Sequence, residues 1–330
     1  MKPIGYLIPH ITELDNLYLA YHKAQRGKMH QPEVQAFVKN LHHHLLALQQ
    51  EIRSGKVQIG NYRYFTIYDP KERIICAGSF KERVLHHALM NVCHPYFEKY
   101  QIYDSYACRP QKGTYKALDR ARYFSAKYAY FAKLDVRKYF ETIDQTLLKT
   151  ALRRLFKDNH LLRIFYQIIN SYQTAPQKGL PIGNLCSQYF ANHFLAQADH
   201  YAKQTLRMPA YVRYMDDMVL WHHHLPTLHR QVKQFEQFLQ QQLNCTLKPT
   251  IINAISHGLP YLGYVVWQRS LTLASRSRKR FKRKALNLNR QLAQNTLTQE
   301  HYRQHMLPLL AFVQKAASYR LRQQVFANLP

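Results

Sequence analysis

The chain is predicted to be an α+β protein, an antiparallel sheet flanked by helices, and three observations carry that expectation. Apolar residues recur at helical spacing in several long segments, and strand-like runs come in pairs joined by turn residues. The two kinds alternate irregularly, without the strand–helix–strand rhythm of a doubly wound sheet. With 330 residues, 46% hydrophobic and 13% aromatic, the chain can bury a core and divide into two or three packed units.

Pro32 opens a helix whose apolar positions Val34, Phe37, Leu41, Leu45, Leu48 and Ile52 follow helical spacing to an end near Gly55. "YRYFTIYDP" and "KERIICAG" read as a strand pair connected through Asp69-Pro70. A helix from Phe80 to about Tyr96 follows, then "YACRPQKGTYKAL" (106–118) as a loop. "YFAKLDVRKYF" (130–140) is a strand, with Phe131, Lys133 and Asp135 on one face and Ala132, Leu134 and Val136 on the other. Two helices fill about 145–172, and a loop with Pro176, Gly179, Pro181 and Gly183 leads into a long helix to about 206. "YVRYMDDMVL" (211–220) reads strand, turn, strand. Leu228, Val232, Phe235, Leu239 and Leu243 mark an amphipathic helix, "YLGYVVW" (261–267) a strand, and the last 60 residues a basic helical region.

Lys and Arg number 47 against 19 Asp and Glu, a formal charge of +28, far beyond what solubility requires. A polyanionic partner is indicated. The 25 Tyr and 16 Phe favour nucleic acid over an anionic membrane surface, because aromatic faces stack on bases. Five scattered cysteines without CxxC spacing give neither a disulfide framework nor a zinc site, which fits a reducing compartment. No run approaches 18 apolar residues and no signal peptide is recognisable, so no membrane association and a cytoplasmic location are expected. The runs His42–His44 and His222–His224 lack the spacing of a metal site, because consecutive residues point in different directions.

Asp216 and Asp217 are the anomaly in so acid-poor a chain. A two-residue hairpin turn favours Asn-Gly or Asp-Gly, whose central residues take positive φ, and Asp-Asp satisfies this poorly. Close like charges need a cation. Two divalent metals about 3.5–4 Å apart would neutralise them and clamp both oxygens of a phosphoryl transfer. A third carboxylate is required, and Asp135 on a neighbouring strand can supply it.

"YMDD" at 214–217, with "LDVRKYF" at 134–140 and "GLPIGNLCSQYFAN" at 179–192 before it, resembles the palm of a reverse transcriptase, its motifs in the family's order from about Tyr62 to Trp267. The resemblance implies a right-hand polymerase. Residues 1–55 would form an N-terminal helical extension, 56–130 and 145–185 the fingers, 131–144 and 186–268 the palm, and 269–330 a basic helical thumb. Asp135, Asp216 and Asp217 would be catalytic and would hold two Mg²⁺, with the Val136 carbonyl as a further ligand. Lys71 and Arg73 match basic residues that grip the dNTP triphosphate, and Phe140 matches the aromatic gate that excludes a 2′-hydroxyl, although its type fits a core position equally well. Lys248 matches a palm lysine able to protonate pyrophosphate. Arg109, Lys112, Tyr214 and the thumb residues Arg278, Lys279, Arg280, Lys282, Arg283 and Lys284 would contact nucleic acid, the cations through phosphates.

The chain departs from the common pattern at Ile182, where most reverse transcriptases carry Gln before Gly183, and at Ser187-Gln188, where they carry Ser-Pro. "LPIGN…SQ" with "YACRPQKGT" resembles the reverse transcriptases of diversity-generating retroelements. That resemblance implies error-prone copying of a template-repeat RNA into cDNA at template adenines, with dNTPs as substrates, a cDNA/RNA duplex as product and a pentameric accessory variability protein as partner. A branched aliphatic at 182 offers the nascent base pair shape without a hydrogen bond, the weaker basis of selectivity. The rival readings are a retron-like, group II intron-like or defence-associated enzyme, and a non-catalytic RNA-binding protein using the same basic groove.

Overall fold

A computed structural model describes residues 4–68 and 72–327. Helices α1 (Ile8–Ile11), α2 (Leu14–Ala24), α3 (Pro32–Lys39) and α4 (Leu41–Ser54) open the chain. The single helix expected from Pro32 is two, because Asn40 leaves the helical region at φ −128°, ψ 43°, and Gly55 closes α4 in the left-handed conformation as its sequence position implied. Strands β1 (Arg63–Ile67) and β2 (Arg73–Ala77) pair antiparallel in the register Arg63↔Ala77 to Ile67↔Arg73. Helix α5 (Phe80–Tyr100) is capped by the Ser79 side chain, which accepts from the Glu82 amide, and runs through Pro95 to end four residues later than expected.

Thr114–Lys127 is helix α6, although its first turn was expected to be loop. Ala117, Leu118, Ala121, Phe124 and Ser125 form its buried stripe. The apolar period starts directly after Gly113, so the Gly-Lys-rich approach hides the helix start. The strand β3 (Tyr130–Asp135) stops at the aspartate, and Tyr139–Thr142 is a short helix, α7. Helices α8 (Gln145–Leu155) and α9 (Asn159–Asn170) carry Asp144 and Asp158 as side-chain N-caps. Helix α10 (Leu185–His200) passes into a π-helical turn, Tyr201–Thr205. Strands β4 (Ala210–Tyr214) and β5 (Asp217–His222), helix α11 (Leu225–Leu243) and strand β6 (Ile251–Ala254) follow. The strand expected at 261–267 is a hairpin, β7 (Leu259–Tyr261) and β8 (Tyr264–Val266) turning at Leu262-Gly263, joined by β9 (Leu271–Leu273). Helices α12 (Ser275–Ala293), α13 (Gln299–Gln314) and α14 (Tyr319–Phe326) end the chain.

These elements form two compact units, each assembled from three stretches of chain: residues 1–103, 135–205 and 235–248, and residues 104–134, 206–234 and 249–330. The first is mainly helical and carries the β1–β2 hairpin. Its core includes Phe97, Phe156, Phe165 and Phe190, which meet at ring-centroid distances of 5.0–6.4 Å. The second holds a four-stranded sheet in the order β4-β5-β3-β6, with β5 against β4 and β6 against β3 antiparallel, and the small sheet β7-β8-β9. Trp221, fully buried on β5, donates its indole N–H to the Ser125 hydroxyl of α6 at 3.1 Å and packs on Phe124. The C-terminal helices belong to the second unit. Phe281, Ala285, Met306, Val313 and Val325 form their own small core, while Tyr264 donates to the Phe312 carbonyl and Ala317 N–H to the Leu271 carbonyl. No described helix is long and apolar enough to cross a membrane. The five cysteines are free.

Three histidines of the first unit are held neutral. Burial pushes His86 down to about 3, and burial with nearby cationic side chains pushes His87 to about 4. His193, buried against the Ala151 carbonyl, also falls to about 4. The unfolded chain takes up these protons below the ordinary histidine value of about 6.5 and the folded chain does not, so stability is complete above that pH and falls toward pH 4. Buried Glu82, raised by desolvation, takes up its proton at a higher pH in the folded chain than in the unfolded one, and so opposes part of this loss above the ordinary carboxylate value. Urea denaturation should show stability declining from pH 7 to 5, with a limiting slope of about 1.4 kcal/mol per pH unit for each fully buried histidine. His86→Phe and His193→Phe should flatten the decline.

Candidate active site

The YMDD segment forms a tight hairpin end. Tyr214 pairs with Asp217, so the central turn residues are Met215 and Asp216, and Asp217 opens β5. The turn is therefore not centred on the Asp-Asp pair. Met215 takes φ +54°, uncommon for a residue with a long side chain, and needs support from its surroundings. The support comes from Arg213, fully buried on β4, whose Nη1 donates to the Met215 carbonyl at 3.1 Å. Arg213 is itself fixed by its backbone: its N–H donates to the Asp104 carbonyl and its carbonyl accepts from Tyr106 N–H, each at 2.9 Å. In the sequence Arg213 reads as an ordinary strand residue. The one available signal was a charge between Val212 and Tyr214 in an otherwise apolar strand.

Lys133 Nζ lies 3.4 Å from Asp217 Oδ2, which puts the start of β5 beside the end of β3. Asp135 follows two residues later on the same strand. Lys248 donates its backbone N–H to the Asp135 carbonyl at 2.9 Å, and its ammonium meets Asp135 Oδ1 at 2.5 Å. Val136 is buried and bridges Leu247 in the same short antiparallel pairing. Among the described residues no three His, Cys, Asp or Glu side chains stand together as a metal-holding group. Asp135 and Asp217 each face a lysine.

The remaining predicted site residues of the first unit gather around the loop Leu180–Asn184. Leu180 N–H donates to the Phe140 carbonyl at 2.7 Å, and Cys76 N–H on β2 donates to the Ile182 carbonyl at 2.7 Å. The backbone thus ties the short helix α7, the loop and the hairpin together. Gly183 sits at φ +112°, where a Cβ would come within 2.9 Å of Ile75 Cγ2 and 3.2 Å of the Cys76 carbonyl, so only glycine allows this approach. Phe140 and Ile182 are both half-buried, Arg73 is exposed at the start of β2, and Lys71 lies outside the described residues. Buried Gln145, missed in the sequence, donates to the carbonyls of Ile169, Tyr172 and Gly179 and fixes the entry to the loop. Asn184 donates to the Tyr62 hydroxyl at its exit.

In the second unit Arg109 folds back onto the Ser105 carbonyl at 2.6 Å, and the Lys112 ammonium lies 4.9 Å from the Tyr106 ring centroid. The Tyr214 hydroxyl accepts from Thr114 Oγ1. On α12, Arg278, Lys279, Lys282 and Arg283 are exposed, whereas Arg280 and Lys284 are half-buried. Three histidines of the two runs have contacts within the protein: His42 with the Tyr18 hydroxyl, His44 with the Phe37 carbonyl, and His223 against the Tyr128 ring.

A Tyr-Met-Asp-Asp hairpin at the end of an antiparallel sheet flanked by helices defines a polymerase fold. The chain belongs to the reverse transcriptase family: the family described as reverse transcriptase (RNA-dependent DNA polymerase) matches residues 68–266. It is 22% identical over 214 residues to the putative COX1/OXI3 intron 1 protein of Saccharomyces cerevisiae, covering 61% of this chain and 26% of that protein. Protein YkfC of Escherichia coli is 22% identical over 190 residues, covering 52% of this chain and 50% of that protein. Apo telomerase from Candida tropicalis superimposes with a TM-score of 0.53 at 13% identity, covering 82% of this chain and 59% of that one. The chain thus spans from about a quarter to three fifths of the length of these relatives.

Arg213→Met should leave the Met215 carbonyl without its buried donor and destabilise the chain by about 1.5–3 kcal/mol in urea denaturation. Arg213→Lys, which keeps the charge but loses the planar fork, should recover only part of the loss.

Proposed function

We propose that this chain is an RNA-templated DNA polymerase acting through Asp135, Asp216 and Asp217. The observation that carries the reading is the YMDD turn, which puts Asp216 in the turn and Asp217 at the start of β5, with the Lys133 ammonium of β3 against Asp217. Carboxylate oxygens are the donors Mg²⁺ prefers, and lysine ammoniums now face Asp135 and Asp217, marking positions that demand positive charge. The donor chemistry therefore fits two Mg²⁺ held by the three aspartates, with the Val136 carbonyl as a further ligand. When bound, such ions would neutralise charge on the reacting phosphate and lower the barrier to attack.

In the reaction, the primer 3′-oxygen forms a bond to the dNTP α-phosphorus, the bond to the β-phosphate oxygen breaks, and pyrophosphate leaves. This chain's residues position the partners. Phe140, fixed through its carbonyl to Leu180, would close the space at the sugar 2′ carbon, and Arg73 and Lys71 would hold the triphosphate. Lys248 would release Asp135 and give its proton to pyrophosphate. In this reading 56–130 and 145–185 act as fingers, 131–144 and 186–268 as palm, 269–330 as thumb, and 1–55 as an extension. Arg109, Lys112, Tyr214 and the exposed cations of α12 would contact template and primer.

Its finer role, in our reading, is that of a diversity-generating retroelement enzyme with low fidelity at template adenines and an accessory variability protein as partner. Support comes from Ile182 in place of Gln, together with the "SQ" and "YACRPQKGT" sequences. The Ile182 main chain is held by Cys76, and its aliphatic side chain, with no polar atom, can offer a base pair shape alone.

Primer extension on an RNA template with Mg²⁺ should proceed, and Asp216→Asn should lower it by about 10²–10³-fold, the scale of losing one preorganised charge-stabilising group. Absence of activity, or activity surviving Asp216→Asn, would favour the RNA-binding rival. Sequencing of the cDNA made by Ile182→Gln should show fewer errors opposite template adenines; an unchanged spectrum removes the fidelity role of Ile182.

A further inference from the structure

A second cluster of charge lies away from the aspartates, within the second unit. Helices α12 and α14 enclose a cleft of about 370 Å³ lined by Arg278, Lys279 and Lys282 on one side and by Arg320, Leu321 and Gln324 on the other. Each helix contributes positions i, i+1 and i+4, one face per helix. The four cations have no acidic partner among the described residues, and residues 269–330 hold thirteen Lys and Arg against a single acid, Glu300. Four like charges around one cleft repel each other, and a polyanion relieves that repulsion.

The cleft also has features that a duplex backbone does not use. Its volume is that of a small-ligand site, of order 300–1,000 Å³. Leu321 supplies an apolar wall. Tyr319, 66% exposed at the start of α14 next to Arg320, presents its ring to solvent, with the Arg322 guanidinium 5.9 Å from its centroid. Cations beside an exposed aromatic ring suit a single strand, whose bases are open for stacking; in a duplex they are already paired and stacked.

We propose that the α12–α14 cleft binds a single-stranded RNA segment, its phosphates held by Arg278, Lys279, Lys282 and Arg320 and a base stacked on Tyr319. The inference rests on the polymerase reading only in naming RNA as the polyanion. In this arrangement Arg320 and Tyr319 of α14 join the α12 cations in holding a single-stranded ligand.

Fluorescence anisotropy of the full chain with a labelled oligouridine, and separately with an RNA–DNA hairpin duplex, tests it. Arg320→Glu should weaken oligouridine binding at least about tenfold and lower the slope of log K against log salt by about one phosphate contact. Tyr319→Ala should weaken it about fivefold or more, the worth of one stacked base, while duplex affinity changes less than twofold. Both residues are exposed, so an unchanged thermal midpoint confirms that the variants fold. Equal losses for duplex and oligouridine would overturn the single-strand assignment, as would no loss for either, or displacement of the RNA by an equal phosphate concentration of inorganic pyrophosphate. Extension by the wild-type chain reports the polymerase reading independently, so each can fail alone.

Discussion

The buried guanidinium of Arg213 is the interaction on which the geometry of the YMDD turn depends. A non-glycine turn with Met215 in the left-handed region is strained by roughly 1–3 kcal/mol unless its surroundings fix it. A buried charge, in turn, is tolerated only where its donors are used. Each condition meets the other. The Met215 carbonyl receives an Arg213 N–H, and the arginine backbone is held between Asp104 and Tyr106, so the loop 104–113 and the turn form one hydrogen-bonded assembly in the second unit. Acidic residues at the turn then stand at a fixed place instead of on a mobile tip. Lys133 answers Asp217 there, and in the first unit Lys248 answers Asp135, so both carboxylates keep a cation close at hand.

The first unit achieves positional control mainly with backbone. Gly179, Leu180 and Ile182 are connected through main-chain hydrogen bonds to Ile143, Phe140 and Cys76 respectively. Such a ladder does not depend on side-chain identity, so the loop can keep its path while residue 182 varies. Gly183 is the exception, because its φ and its contact with β2 exclude a side chain. The loop therefore separates a position that must be glycine from one whose side chain can change without changing the scaffold.

Much of the fold was legible in the sequence because its signals are periodic. The β4–β5 hairpin, helix α11 and the Phe281–Ala285–Leu288 stripe of α12 follow directly from alternation or helical spacing. What was illegible depends on local backbone choice or on distant partners. Asn40 breaks a continuous apolar period that α3 and α4 would otherwise share. The start of α6 is hidden by the turn chemistry of Gly113, and Leu262-Gly263 splits what looked like one strand. Of the site, residue types and order were visible in the motifs. The lysines on Asp217 and Asp135 were not, since no local pattern says that Lys133 and Lys248 turn to carboxylates 84 and 113 positions away. Arg213 and Gln145 escaped for the same reason: their value lies in carbonyls supplied by other segments.

The net charge of +28 overstates the surface free to meet a polyanion. Arg213 is buried, Arg120 is bonded to Asp104, Lys81 to Glu51 and Lys315 to Asp119, and the Arg280 guanidinium lies over the Phe312 ring. These cations hold the fold together and have little to offer a phosphate. The exposed basic residues of α12 and α14 stand in a stretch with one acid, so their field is not cancelled locally. Because screening at physiological salt limits exposed charges to roughly 8 Å, such local excess decides where a phosphate binds, more than the total does. The amphipathic build of α12 then follows from two demands: Phe281 and Ala285 anchor the helix in its small core, and that anchoring holds Arg278, Lys279 and Lys282 outward at fixed spacing.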